Sequence, residues 1–265
     1  MLTSLQNPTV KQLRKLQQAK ERRKQSALLL EGTNLIEAAC DVRYPLQTLC
    51  FTEAWQERYG QMCERAIALS AQVELVSLAV LKSIASTVTP DGVVAIAPRR
   101  NVWASELGKP KDTATLGVIL ETLQDPGNLG TIIRTAAGVG SDGLWISHDS
   151  VDLGHPKVLR ASAGQWFRMP MATVNVVTQA RTLRENGAQI IATTAVAELD
   201  YWQLDLRQPT VFLMGNEGAG LSGELMACAS KTVKIPVMSG VESLNVAIST
   251  ALLLYEAKRQ RARGV

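Results

Sequence analysis

Two short runs in the second half of the chain, "LGVILE" from residue 116 and "TVFLMG" from residue 210, most constrain the fold. Each is almost wholly apolar, with no polar face to offer water, and each ends in a loop rich in Gly, Asn or Asp. A strand of this kind is buried on both faces, the situation of a parallel sheet covered by helices. Between and after them strands and helices alternate. A helix is expected at 129–139, a strand at "GLWIS" and a helical patch around "KVLRASAG". A helix at 176–186 precedes strand "QIIATTA", and a short helix near 222–229 precedes strand "VKIPV". The last helix, 244–262, places Leu244, Ala247, Ile248, Ala251, Leu252 and Tyr255 on one face, with basic residues in its final turns. The expected class is α/β with a mainly parallel sheet.

Ahead of this lies a second, smaller α/β segment. A basic helix is expected from Pro8 to Lys24, followed by strand-like "ALLLEG", "LQTLCF", "VELV" and "GVVAIAP" with helical runs between them. The polar, proline-bearing stretch "PRRNVWASELGKPKDTA" reads as a linker. The expected domains are therefore 1–98 and 115–265, joined by 99–114.

Charge is distributed unevenly. The first 25 residues hold seven lysines and arginines against one glutamate, in a chain of net charge +4, and Lys258, Arg259, Arg261 and Arg263 form a second basic cluster at the end. Basic arms on a nearly neutral body suit a polyanion such as nucleic acid, and a solvated helix face is the plainer alternative. Aromatic residues make up only 5% of the chain, so aromatic base stacking is not the obvious mode of binding. No apolar run is long enough for a membrane span, and the N-terminus lacks the apolar core of a secretory signal. Four dispersed cysteines (Cys40, Cys50, Cys63 and Cys228) point to a reducing, cytoplasmic setting. The two histidines, His148 and His155, share a polar loop with Asp149 and Asp152. Solvated turn residues explain them better than a metal site.

Three loops sit where open α/β sheets collect ligands, beyond strand ends. "QDPGNLGTIIRTA" carries Asn128 and, inside a small apolar helix, Arg134. "GNEGAGLS" has glycines at 215, 218 and 220 and a carboxylate, Glu217, with few structural duties. "IPVMSGVESLN" is poor in charge and puts Ser243 and Asn245 around a helix start, where capping accounts for only one of them. The glycine loop lacks the lysine of a P-loop and the spacing of a dinucleotide fingerprint.

In this order and near these spacings the three motifs resemble those of the SpoU (TrmH-like) family of RNA 2′-O-methyltransferases. The N-terminal stretch "SLQNPTVKQLRKLQQAKERRKQSALLLEGTNLIEAA" resembles the family's RNA-recognition region, which is akin to ribosomal protein L30e. The resemblance implies a SPOUT fold with a deep trefoil knot, something sequence rules alone would not suggest. It also implies S-adenosylmethionine as cofactor, bound near Thr194, Leu213, Gly215, Ile235, Met238 and Leu244, and a homodimer through the knot. By resemblance Arg134 is catalytic, with Asn128, Glu217, Ser243 and Asn245 around it. RNA contacts are expected at Lys11, Arg14, Lys15, Arg22 and Arg23, and at Lys157, Arg160 and Ser162 of a segment ending in an R-x-S-x-G run. No metal is expected. The implied substrate is ribosomal RNA, with tRNA the alternative; a non-catalytic RNA-binding assembly factor is the reading from a different class.

Overall fold

The computed structural model of the protein describes residues 1–99, 111–113 and 115–262, so most of the expected linker lies outside the described residues. The chain divides into two compact units, Met1–Asn101 with Asp152–Phe167, and Val102–Val151 with Arg168–Val265. The sequence boundaries assign 115–265 to a single domain. The structure instead packs the stretch Asp152–Phe167 with the first unit.

The first unit runs α1 (Pro8–Lys15), α2 (Ala19–Lys24), β1 (Ala27–Glu31), α3 (Thr33–Asp41), β2 (Leu46–Phe51), α4 (Glu53–Arg58), α5 (Gly60–Ala68), β3 (Ser70–Leu75), α6 (Leu78–Ile84) and β4 (Val93–Pro98). Its sheet has the order β1-β4-β2-β3, with β4 antiparallel to both neighbours and β2 parallel to β3. Val10, Leu13 and Leu16 pack with Val80, Leu81 and Ile84 over Leu29, Val94 and Ile96 to make one core.

The single basic helix expected over Pro8–Lys24 is instead two helices. Asn7 caps α1 by accepting from the Thr9 amide at 2.8 Å, and Pro8 occupies the first turn. The helix ends at Lys15, with the fully buried Leu16 as its C-cap. The carbonyls of Leu16 and Gln17, freed at the break, accept hydrogen bonds from Arg22 Nη1 at 3.0 and 2.8 Å. A buried arginine thus satisfies the gap between α1 and α2.

The rest of the chain continues β5 (Leu116–Leu120), α7 (Pro126–Val139), β6 (Gly143–Ile146), α8 (Pro156–Ala161), β7 (Met171–Thr173), α9 (Val176–Glu185), β8 (Gln189–Thr193), β9 (Leu199–Asp200), β10 (Thr210–Met214), α10 (Gly223–Met226), β11 (Lys231–Lys234) and α11 (Val246–Ala262). All of it but α8 and the residues beside it belongs to the second unit. The seven strands pair in the order β7-β6-β5-β10-β8-β11-β9, every pair parallel. β5 and β10 are fully buried, as their composition requires. Ala180, Leu183, Leu225 and Cys228 cover one face over Ile119, Ile190, Val211 and Leu213.

The buried face of α11 is not the expected one. Val246, Thr250, Leu253, Leu254 and Ala257 are inside with Ala247, whereas Ile248 and Tyr255 are 52% and 54% exposed. The helix is apolar nearly all round for its first three turns, so a search for one apolar face has two answers.

Candidate active site

Because the strands are parallel, the carboxyl ends of β5, β8, β10 and β11 share one edge of the second sheet. The strand order reverses there: the chain moves outward through β5, β6 and β7, then returns to place β8 and β10 on the other side of β5. This is where ligands bind in such sheets. A cavity of about 840 Å³ opens at that edge, lined by Thr194, Gly215, Glu217, Ile235, Ser243, Leu244 and Asn245 among others.

Three loops meet there through one chain of hydrogen bonds. Asn245 Nδ2 donates to Asn128 Oδ1 at 2.9 Å, and Asn128 Nδ2 donates to Glu217 Oε1 at 3.0 Å. The backbone amides of Gln124 and Asp125 add bonds of 3.3 Å each to the same carboxylate. Burial pushes the Glu217 carboxyl up, but the bonds from Asn128 and from these amides outweigh it and hold it below the usual range. Glu217 is thus an ionised anchor that ties its own loop to Asn128 and to the turn before α7. Asn245 works at both ends of its amide: Oδ1 accepts from the Ala247 and Ile248 amides and so caps α11, while Nδ2 reaches Asn128.

The glycine loop holds its own shape. Asn216 and Gly220 exchange backbone hydrogen bonds of 2.9 and 3.0 Å, and Asn216 Oδ1 accepts from the amides of Gly218 and Ala219. A Cβ on Gly215 would lie 2.2 Å from the Gly220 carbonyl carbon, so glycine here serves loop closure first. Asn216 Nδ2 donates to the carbonyl of Thr122, a residue at φ +53°, tying this loop to the end of β5. Glu121, also at that end, accepts from both the amide and hydroxyl of Ser222 at 2.7 Å.

The other expected residues divide. Thr194, Gly215, Ile235 and Leu244 line the cavity. Leu213 is a core residue, fully buried under α9 and α10, and Met238 is 81% exposed and does not line the cavity. Ser243 lines the cavity without capping α11. The Arg134 side chain is exposed and makes no hydrogen bond or ion pair with another described residue. Six residues along α7 set it roughly 120° round the axis from Asn128. Lys234, Glu242 and Ser249 line the cavity without having been singled out in the sequence.

The residues expected to contact RNA in the first unit differ in exposure. Arg22 is fully buried, with Nη2 on Asp152 Oδ2 at 3.1 Å. Arg99 meets the other oxygen of Asp152 at 2.7 Å. Ser162 is also fully buried and donates to the Leu159 carbonyl. Arg160 Nη1 is spent on Glu31 at 2.9 Å and on Ser86 at 2.7 Å. Gly164 ends the run at φ +80°, with a Cβ there only 2.4 Å from that of Ala38. The R-x-S-x-G run thus joins α8 to β1 through Arg160 and Glu31, and brings Gly164 against Ala38 of α3. Lys11, Arg14, Lys15, Arg23 and Lys157 are exposed. Of the C-terminal basic cluster, Arg263 lies outside the described residues and the other three are committed inside the second unit. Arg261 donates to the carbonyls of Leu206, Gln208 and Thr115, Lys258 to that of Gly138, and Arg259 pairs with Glu256. His155 caps α8 through Nδ1, and among the described residues no His, Cys, Asp or Glu cluster could hold a metal. No described helix is long and apolar enough to cross a membrane.

The cavity suits S-adenosylmethionine. Its volume lies in the range of small-molecule sites, and its lining is mostly uncharged, with Thr194, Gly215, Ile235 and Leu244 among it. Comparison with known proteins agrees with this geometry. Residues 115–255 match the SpoU rRNA Methylase family and residues 7–95 the MRM3-like substrate binding domain. The chain belongs to the SpoU family of rRNA methylases and is an RNA methyltransferase. It is 45% identical, over 98% of its length and 94% of the relative's, to an uncharacterized tRNA/rRNA methyltransferase of Synechocystis sp.. It is 28% identical to the 23S rRNA (guanosine(2553)-2′-O)-methyltransferase RlmP of Bacillus subtilis, covering 97% of this chain and 98% of that one. The structure of an AdoMet-bound rRNA methyltransferase from Sinorhizobium meliloti superposes with a TM-score of 0.84 at 34% identity, covering 97% of each chain.

Proposed function

We propose that the protein methylates the 2′-hydroxyl of a ribose in ribosomal RNA, with S-adenosylmethionine as methyl donor. The observation that carries this reading is the convergence of Asn128, Glu217 and Asn245, from three separate strand-end loops, on one hydrogen-bond chain beside the cavity. The 2′-O position and the ribosomal substrate are favoured by relatives of nearly full length such as RlmP.

When bound, the cofactor supplies an electrophilic methyl carbon. The chain must then align a weakly nucleophilic hydroxyl and stabilise the charge growing on its oxygen. Glu217 fixes Asn128, Asn128 fixes Asn245, and these with Ser243 position the ribose. A guanidinium offers donors and positive charge but no acceptor, so the role of Arg134 is electrostatic: it grips the adjacent phosphate and the incipient alkoxide.

A homodimer completes the site. Ile248 and Tyr255 leave an apolar stripe exposed on α11, and Tyr255 lies beside Gly138, on the same side of α7 as Arg134. Arg134 points away from Asn128 of its own chain, as it must if it serves a site completed by a second copy. The strand order supports the trefoil knot, since β10 enters between β5 and β8, and β11 between β8 and β9, after those strands are laid down. RNA is held by the first unit through Lys11, Arg14, Lys15 and Arg23, together with Lys157 in the first turn of α8, and ribosomal RNA as substrate implies a cytoplasmic protein.

The test is methyl transfer in vitro. Purified protein, S-adenosylmethionine carrying a labelled methyl group and ribosomal RNA from cells lacking the gene should give one alkali-resistant linkage at a single nucleotide. Label on a base, or transfer to tRNA only, refutes the proposal.

A further inference from the structure

The cavity contains two charges that lie outside the hydrogen-bond chain of Asn245, Asn128 and Glu217. Lys234 ends β11 and Glu242 lies at the far end of the loop that follows it, so the two bracket residues 235–241. Both line the cavity. Glu217, the other charged residue of the lining, is occupied by Asn128 and two backbone amides. The side chains of Lys234 and Glu242 make no ion pair with each other and no hydrogen bond with another described residue. One cation and one anion thus stand unpaired in a cavity whose remaining walls are mostly neutral.

A ligand that satisfies both carries a carboxylate and an ammonium on one small group, which is the form of an α-amino acid at neutral pH. We propose that Lys234 holds the carboxylate and Glu242 the ammonium of the cofactor's methionine end. The pair acts in specificity: it makes the cavity prefer adenosine thioethers that carry an amino-acid end over those that lack it. The chemistry is charge-assisted hydrogen bonding, which is about twice as strong as its neutral counterpart. An amino-acid zwitterion placed in a cavity without such partners would instead lose its hydration uncompensated. Both residues keep contact with water, which limits the gain from each. This inference rests on the reading of the cavity as the cofactor site.

Calorimetric titration separates the two ideas. S-adenosylhomocysteine keeps the zwitterionic end and 5′-methylthioadenosine lacks it, and neither requires turnover. The wild-type protein should bind S-adenosylhomocysteine more tightly. Lys234→Met and Glu242→Gln should each weaken that binding about tenfold and leave the affinity for 5′-methylthioadenosine unchanged. Equal losses for both ligands would show a general disturbance of the cavity and overturn the assignment. So would unchanged affinity for S-adenosylhomocysteine, including the case in which Lys234→Met weakens only RNA binding. A wild-type protein that binds neither ligand would instead remove the cofactor reading beneath it.

Discussion

At the scale of single residues, the proposed mechanism gives Arg134 and Asn245 different roles. The Arg134 side chain is exposed and unpaired among the described residues, so Arg134→Ala removes no interaction that holds the fold. It should leave the melting temperature and S-adenosylmethionine affinity unchanged and RNA affinity within a few-fold. Methyl transfer should fall by a factor of about 100 or more, the loss expected for a preorganised charge acting on the transition state. Retained turnover would refute its role. Asn245 does two jobs that can be separated. Asn245→Ser keeps an oxygen to cap α11 but loses the amide that reaches Asn128. Stability should stay within about 1 kcal/mol of wild type while activity falls, whereas Asn245→Ala should lose both. Equal activity in wild type and the serine variant would reduce Asn245 to a cap. Glu217 could be picked out in the sequence as a carboxylate in a glycine-rich loop, but the expectation that it has few structural duties fails, since it anchors its loop to Asn128 and to the turn before α7. Its donors in the Gln124 and Asp125 amides could not be picked out, since backbone groups leave no mark on a sequence.

At the scale of elements, the basic N-terminal stretch separates into two kinds of charge. Neutralising Lys11, Arg14, Lys15 and Arg23 should weaken RNA binding and flatten its salt dependence by up to about 0.7 for each phosphate no longer neutralised. Circular dichroism and melting should not change. Arg22→Met should do the reverse: a loss of about 3–5 kcal/mol in stability, because Asp152 and two carbonyls lose a buried partner. The sequence spaces these residues alike along one basic run and does not mark the break between α1 and α2 that turns Arg22 inward. Acid should act on the same unit. Hydrogen bonds from Thr87 and Ser86 and the charge of Arg160 outweigh burial and hold Glu31 low; Arg99 and Arg22 do so for Asp152. Carboxyls depressed in the folded state add stability above their unfolded pKa of about 4 and lose it as the pH falls further. Melting temperature should therefore drop below about pH 4, with a shallower drop in Glu31→Gln. An identical profile in that variant would show that other carboxyls govern acid unfolding.

At the scale of the whole molecule, the parallel sheet and its strand-end loops could be read from "LGVILE", "TVFLMG" and the turns after them. β7 and β9 could not, because strands of three and two residues carry no periodic pattern. The attachment of Asp152–Phe167 to the first unit was equally hidden: the Arg22–Asp152 and Arg160–Glu31 ion pairs and the close approach of Gly164 to Ala38 join residues more than a hundred positions apart. α11 was misread for a reason that bears on assembly. Its sequence has more apolar surface than one packing face needs, and the fold uses Val246, Leu253 and Leu254 while leaving Ile248 and Tyr255 to solvent. The proposed dimer would bury that second face against another copy, which would account for both the composition of the helix and the outward setting of Arg134. Ile248→Asp with Tyr255→Asp should then convert a dimer to a monomer in sedimentation velocity. The monomer should keep its circular dichroism, because neither side chain belongs to the core, and should lose methyl transfer if Arg134 acts across the interface. Mixing that monomer with an Arg134→Ala dimer should restore nothing. A wild-type protein that sediments as an active monomer would show that each chain holds a complete site, and Arg134 would have to reach the ribose from its own side of α7.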